Sequence, residues 1–190
     1  MNETNAILTH LSTQSRNNGG IIYNFRSFEE VEIFLKKICC KYKGYKPISV
    51  RWFGCCEVSR DGFMQDLRNI SEIYSKQSGV LLKGVVINIP KAELENNYIE
   101  KVDKIIISMA QYYLFQGYIV GTLLFDMGTI YECFILINPV SYYDGGKLQF
   151  NRSNVLEEEN ECLRCAVSDA VNGNSITSSY DYSYLPAYPL

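Results

Sequence analysis

Histidine is nearly missing from this chain: His10 is the only one in 190 residues. Imidazole is the usual nitrogen ligand of catalytic metals and the usual general base near neutral pH. A chain with one imidazole cannot build a two- or three-histidine centre, and a cysteine–histidine enzyme would have to use His10. Long hydrophobic runs are missing too. No stretch of about 18 apolar residues exists, so no membrane span is expected. The opening Met-Asn-Glu-Thr-Asn lacks the basic and apolar regions of a signal peptide, which points to the cytoplasm. Cysteine numbers seven, an odd count, with Cys39-Cys40 and Cys55-Cys56 adjacent in sequence. A cytoplasmic chain keeps such thiols reduced. Cys162-x-x-Cys165 is half of a zinc motif, but the second pair that a structural site needs is absent, so core thiols are expected. Neither a Gly-x-x-x-x-Gly-Lys phosphate loop nor a Gly-x-Ser-x-Gly nucleophile elbow occurs.

Acid is missing from one long stretch. Between Ile33 and Cys56 there is no Asp or Glu, while Lys36, Lys37, Lys41, Lys43, Lys46 and Arg51 all fall there. The net charge of −3 is therefore uneven. Residues 1–79 carry 11 basic and 8 acidic side chains, and residues 80–190 carry 7 and 13. Tyr42, Tyr45, Trp52 and Phe53 interleave with the basic groups. Cations neutralise phosphates and aromatic rings stack on bases, so this stretch is a candidate single-stranded DNA surface, with Tyr45 and Trp52 as stacking residues. The plainer reading is a helix end, where lysines suit the macrodipole and the aromatics point inward.

The elements follow from periodicity and turn chemistry. Ala6 to Ser12 reads as a first strand, and Gln14 to Gly20 as a loop. Ser27 with Glu30 three residues on forms a capping box for a helix running to about Tyr42. Gly44 and Pro47 close it, and Ile48 to Phe53 reads as a strand. A second helix opens at Ser59 or Asp61, with Phe63, Leu67, Ile70, Ile73 and Tyr74 as its apolar stripe, and ends at Gly79. Val80 to Ile89 is a β-branched strand closed by Pro90. A third helix is expected from about Lys91 to Phe115, buried along Leu94, Tyr98, Val102, Ile105, Ile106, Met109 and Tyr113. Tyr118 to Asp126 and Ile130 to Asn138 make a hairpin across Met127-Gly128-Thr129. A last helix is expected from Ser153 to Val171. This order predicts an α+β domain over residues 1–171 with a central, largely antiparallel sheet flanked by helices, followed by a Ser/Tyr/Pro-rich tail over 172–190.

The stretch Thr129 to Lys147 carries a resemblance. Its apolar run (Ile135, Leu136, Ile137), Asn138, Val140, Asp144, Gly145, Gly146 and Lys147 resemble the metal-site strand of plasmid-mobilisation relaxases, the His-hydrophobe-His (HUH) nickases that cut one DNA strand with a tyrosine. The histidine positions of that pattern hold Ile130, Glu132 and Phe134. Other segments follow the family outline in order: Ile7-Leu-Thr-His10, Arg16 and Asn18-Gly-Gly-Ile21; Arg51 to Cys56 with the helix after it; and Lys83 to Pro90. The resemblance implies a relaxase- or Rep-nickase-like fold, with Tyr23 in the nucleophile's place. It also implies that Glu132, with Asp126 if that residue faces the same way, would hold Mg²⁺ or Mn²⁺ in an active enzyme. With the histidines missing, no metal and no cofactor are expected. The expected function is that of a catalytically inactive relaxase-like protein of a mobile element, binding single-stranded DNA or a protein of the element or host, away from membranes. The alternatives are an active relaxase or replication nickase with a carboxylate-based metal site, and a protein-binding inhibitor module.

Overall fold

The structure, a computed structural model, describes residues 22–93 and 98–148. The expected strand over 6–12, the loop over 14–20, Leu94, the helix from Ser153 and the tail all lie outside the described residues, as does the domain boundary at 171.

The first described element is a strand that periodicity did not single out, β1 (Ile22–Phe25). Helix α1 (Phe28–Cys40) follows, with Ser27 as its N-cap. The capping box is complete: the Ser27 hydroxyl accepts from the Glu30 N–H at 3.1 Å, and the Glu30 carboxylate accepts from the Ser27 N–H at 3.2 Å. Strand β2 (Ser49–Phe53) and helix α2 (Arg60–Ile73) come next, the helix capped by Ser59. Strand β3 (Leu82–Pro90) keeps Pro90 as its last residue rather than ending before it. Helix α3 is Tyr98–Phe115, so the expected start at Lys91 is corrected. Lys91–Glu93 form a single 3-10 turn, and the Lys91 N–H is held at 3.0 Å by the Thr129 carbonyl. That bond keeps the chain on the sheet where an α-helix would have carried it away. Strands β4 (Val120–Asp126) and β5 (Ile130–Ile137) are the last of the described elements.

The five strands form one sheet in the order β1-β3-β5-β4-β2, with every neighbouring pair antiparallel. Among the described residues three helices flank it, the α+β architecture expected. Central β5 is covered on both faces, which is why its sequence is apolar on both alternations. Tyr131, Cys133, Ile135 and Ile137 pack with Val102, Ile105, Ile106, Met109 and Tyr113 of α3. Phe134 and Leu136 pack on the other face with Val31, Leu35 and Ile38 of α1 and Phe63, Leu67 and Ile70 of α2. Strand alternation puts Ile130, Glu132 and Phe134 together on the α1/α2 face. The β4–β5 hairpin turns as expected. Met127 N–H donates to the Ile130 carbonyl at 2.9 Å, Gly128 has φ 88°, and the Asp126 carboxylate accepts from the Gly128 N–H at 2.9 Å. Of the expected α2 stripe, Phe63, Leu67 and Ile70 are buried and Tyr74 packs against the same core, whereas Ile73 turns away from that face and is 63% exposed.

Candidate functional site

The site grows from the end of α1. The helix stops at Cys40, and Tyr42 and Tyr45 exchange backbone hydrogen bonds of 2.8 Å in each direction. The two residues between them are left-handed, Lys43 at φ 47° and Gly44 at φ 94°. This is the two-residue hairpin turn in which both central residues need positive φ. Glycine meets that need without strain, while lysine does so at a cost of about 1–2 kcal/mol. The strained lysine makes a specific contact. Its ammonium reaches both carboxylate oxygens of Glu132, at 3.2 and 3.3 Å. The Glu132 side chain is only 4% exposed, whereas that of Lys43 is 55% exposed. The Lys43 ammonium also lies 4.9 Å from the centre of the Tyr42 ring. Tyr42 in turn stands edge-on to Phe134 at 4.8 Å and lies 5.4 Å from Phe125. Hydrogen bonding to Tyr42 lifts the Lys43 ammonium above the ordinary lysine range; burial, the next largest effect, opposes it, and the hydrogen bond and charge of Glu132 add smaller rises.

The expected metal ligands do not come together. Along β4, alternation places Asp126 with Val120 and Leu124 on the α3 face, while Phe125 lies on the α1/α2 face. Asp126 therefore stands across the sheet from Glu132, and the idea that the two share an ion is corrected. Asp126 is committed elsewhere: Lys91 Nζ donates to it at 2.6 Å, and this contact, with the Gly128 N–H, pulls its pKa down. The same ammonium lies 4.7 Å from the Tyr131 ring. The flanking positions Ile130 and Phe134 offer hydrocarbon, and Phe134 is fully buried. Among the described residues no group of three or more His, Cys, Asp or Glu could hold a metal ion. These residues do not fit a relaxase metal centre.

Tyr23 lies on β1, paired in register with Gly84, which in turn pairs with Leu136. Glu132 pairs with Asn88 on the same strand β3. Two strand spacings and four residues thus separate the backbones of Tyr23 and Glu132, roughly 16 Å.

The basic stretch is divided by the sheet. Lys36 is paired with Glu32 one helical turn away at 2.7 Å. Arg51 reaches the opposite face and pairs with Asp103 of α3. Lys43 is held by Glu132, which leaves Lys37, Lys41 and Lys46 as exposed cations with no ion pair among the described residues. Tyr45 is 44% exposed. Trp52 is the correction here. It is 8% exposed, its ring lies 4.9 Å from that of Phe63, and a Cβ on Gly121 would meet it at 2.5 Å. A ring so enclosed offers no face to a base.

Periodicity missed the exposed apolar side chains Ile48 and Val50, 48% and 38% exposed. Their apolar alternation reads as core until the strand order makes β2 an edge. The described cysteines, Cys39, Cys40, Cys55, Cys56 and Cys133, are all free thiols. Burial pushes Cys39 up to about 11 and raises Cys55 and Cys133 further, so none of these three is a thiolate nucleophile at neutral pH. Among the described residues no helix is long and apolar enough to cross a membrane. No protein-family model matches the chain, and no curated protein matches it.

Proposed function

We propose that this chain is a relaxase-like domain of a mobile genetic element that works in the cytoplasm by binding rather than by cutting DNA. One observation carries the reading: the Lys43 ammonium lies against both oxygens of Glu132, the one carboxylate at the expected metal positions. A relaxase uses a cation to polarise the scissile phosphate for attack by tyrosine. Here the carboxylate that would recruit such a cation is already neutralised by a lysine, and its neighbours are hydrocarbon. The turn that delivers Lys43 does so in a backbone conformation that costs energy, which supports a specific role for the pair. The ligand is single-stranded DNA, held through Lys37, Lys41, Lys46 and Tyr45, or a protein. The exposed Ile48 and Val50 favour the protein, because a strand edge with apolar side chains is a pairing surface.

The test is cleavage. The chain is incubated with single-stranded and hairpin oligonucleotides in Mg²⁺ or Mn²⁺, and cut strands and covalent protein–DNA adducts are scored on denaturing gels. Neither product is expected. Cleavage that disappears on Glu132→Ala would establish the active-nickase alternative and sink this reading.

A further inference from the structure

Glu132 is a carboxylate set among aromatic rings on the central strand. Its register partners are Phe125 on β4 and Asn88 on β3, and register partners share a face, so these two side chains stand on either side of it. Phe134, two residues along, shares that face, and the Tyr42 ring packs against both Phe125 and Phe134. One ammonium enters these surroundings. The Lys43 side chain is 55% exposed and that of Glu132 is 4% exposed, so the lysine stem fills the opening between solvent and carboxylate. A primary ammonium has three donors. The nitrogen reaches Oε1 and Oε2 at 3.3 and 3.2 Å and lies 4.9 Å from the centre of the Tyr42 ring. A carboxylate and an aromatic face together compensate an ammonium for the water it gives up.

We infer that the surroundings of Glu132 are a binding site for a primary ammonium, that Lys43 is its tethered occupant, and that the external ligand is a lysine side chain of a partner protein. The chemistry of the ligand is read from the group already bound there. Two features make Lys43 displaceable. Its backbone is left-handed, a conformation that suits glycine better, and its half-exposed side chain leaves the way in open to solvent. The tether decides the source of the ligand. A lysine joined to its site by a short turn acts at an effective concentration of roughly millimolar or more, so a dilute free amine competes poorly. A lysine held in place by the other contacts of a docked protein competes on equal terms. This inference names the partner chemistry for the reading of the chain as a binding protein and rests on it.

The experiment uses the full chain carrying Lys43→Gly, which clears the opening and relaxes the turn. It is titrated with n-butylammonium chloride at constant ionic strength, and the amide NMR shifts of Tyr42 and Glu132 are followed with the melting temperature. Saturable shifts at these residues and a rise in melting temperature are expected. The wild-type chain is expected to bind the free amine about tenfold or more weakly, because Lys43 competes. Tetramethylammonium, which has no donors, and the Lys43→Gly, Glu132→Gln variant should each lose about tenfold or more in affinity. Octalysine peptide, whose linked side chains hold one another near the site, is expected to move the same amides in the wild type. Four results overturn the inference: no saturable binding by Lys43→Gly, equal binding of the free amine by the wild type, equal affinity for tetramethylammonium, or affinity unchanged by Glu132→Gln. Wild-type amides that octalysine leaves unmoved overturn the displacement of Lys43. Should Lys43→Gly not fold alone, folding restored by butylammonium and not by sodium chloride supports the site, and folding restored by neither overturns it. Cleavage of DNA in the separate assay would sink the non-cutting function and leave the ammonium result standing on its own.

Discussion

Lys43 concentrates two opposed effects in one residue: a left-handed backbone that disfavours any side chain, and an ion pair that only this side chain makes. Lys43→Ala keeps the strain and strands a carboxylate that is 4% exposed. The expected loss is about 1–3 kcal/mol, between the values for surface and buried pairs because the lysine is half exposed. Lys43→Gly loses the same pair but relieves the strain, so it should melt higher than Lys43→Ala by an amount worth about 1 kcal/mol. Adding Glu132→Gln to Lys43→Ala should restore part of the loss, as a double-mutant cycle by chemical denaturation would read. Equal stabilities of the alanine and glycine variants would show that the turn is not left-handed in solution. The thiols give a second expectation at this scale. Cys40 and Cys56 are exposed, Cys39 is held up to about 11 by burial, and Cys133 is fully buried. Iodoacetamide at neutral pH should modify Cys40 and Cys56 well before Cys39, and Cys133 only on unfolding, as residue-resolved mass spectrometry would show.

Among the elements, α1 is held at its start by reciprocal side-chain and backbone bonds between Ser27 and Glu30. Ser27→Ala should cost about 1 kcal/mol in denaturant unfolding. Its effect on the site is indirect, since α1 delivers the turn that carries Lys43. The β2–β4 pair depends on a close approach. Trp52 and Gly121 are register partners, and the indole lies where a Cβ of residue 121 would be. Gly121→Ala should cost about 1–3 kcal/mol as an overpacked core does, with a shift in tryptophan emission as Trp52, the only tryptophan, is pushed outward. An unchanged spectrum and stability would mean that Trp52 does not rest on Gly121.

For the molecule as a whole, the two faces of the sheet keep the charged pairs apart. Lys43–Glu132 lies toward α1 and α2, and Lys91–Asp126 toward α3. Mg²⁺ or Mn²⁺ is therefore expected to leave the melting temperature of the wild-type chain unchanged, whereas a native site at a hundredfold its Kd would add about 2.7 kcal/mol. Acid stability should depend in part on Asp126. Its folded pKa lies below the ordinary 3.8, so the unfolded chain takes the proton first. Its contribution is full above 3.8 and is lost as pH falls from there through the folded value. Asp126→Asn should accordingly flatten the acid limb of the stability curve below about pH 4 and leave its slope near neutrality unchanged.

Much of this could be read from the chain because it depends on local rules. The capping box at Ser27, the Gly128 turn, the helical stripe from Val102 to Tyr113 and the face shared by Ile130, Glu132 and Phe134 each follow from spacing within one or two elements. Strand β1 could not be read that way, since four residues in a sheet edge gain their order from Leu82 to Val85 across the gap and not from their own pattern. Trp52 looked like a stacking residue while its neighbours were basic residues in sequence, but the sheet surrounds it with Phe63 and Gly121. Asp126 and Glu132 looked like partners because they flank one hairpin, yet a period of two puts them on opposite faces. Sequence alone determined that this chain lacks the imidazoles of a metal nickase, because composition cannot be changed by folding. Only the tertiary structure decided what neutralises Glu132, because Lys43 lies 89 residues earlier in the chain. That pairing depends on the sheet order and on a left-handed turn that no local pattern specifies.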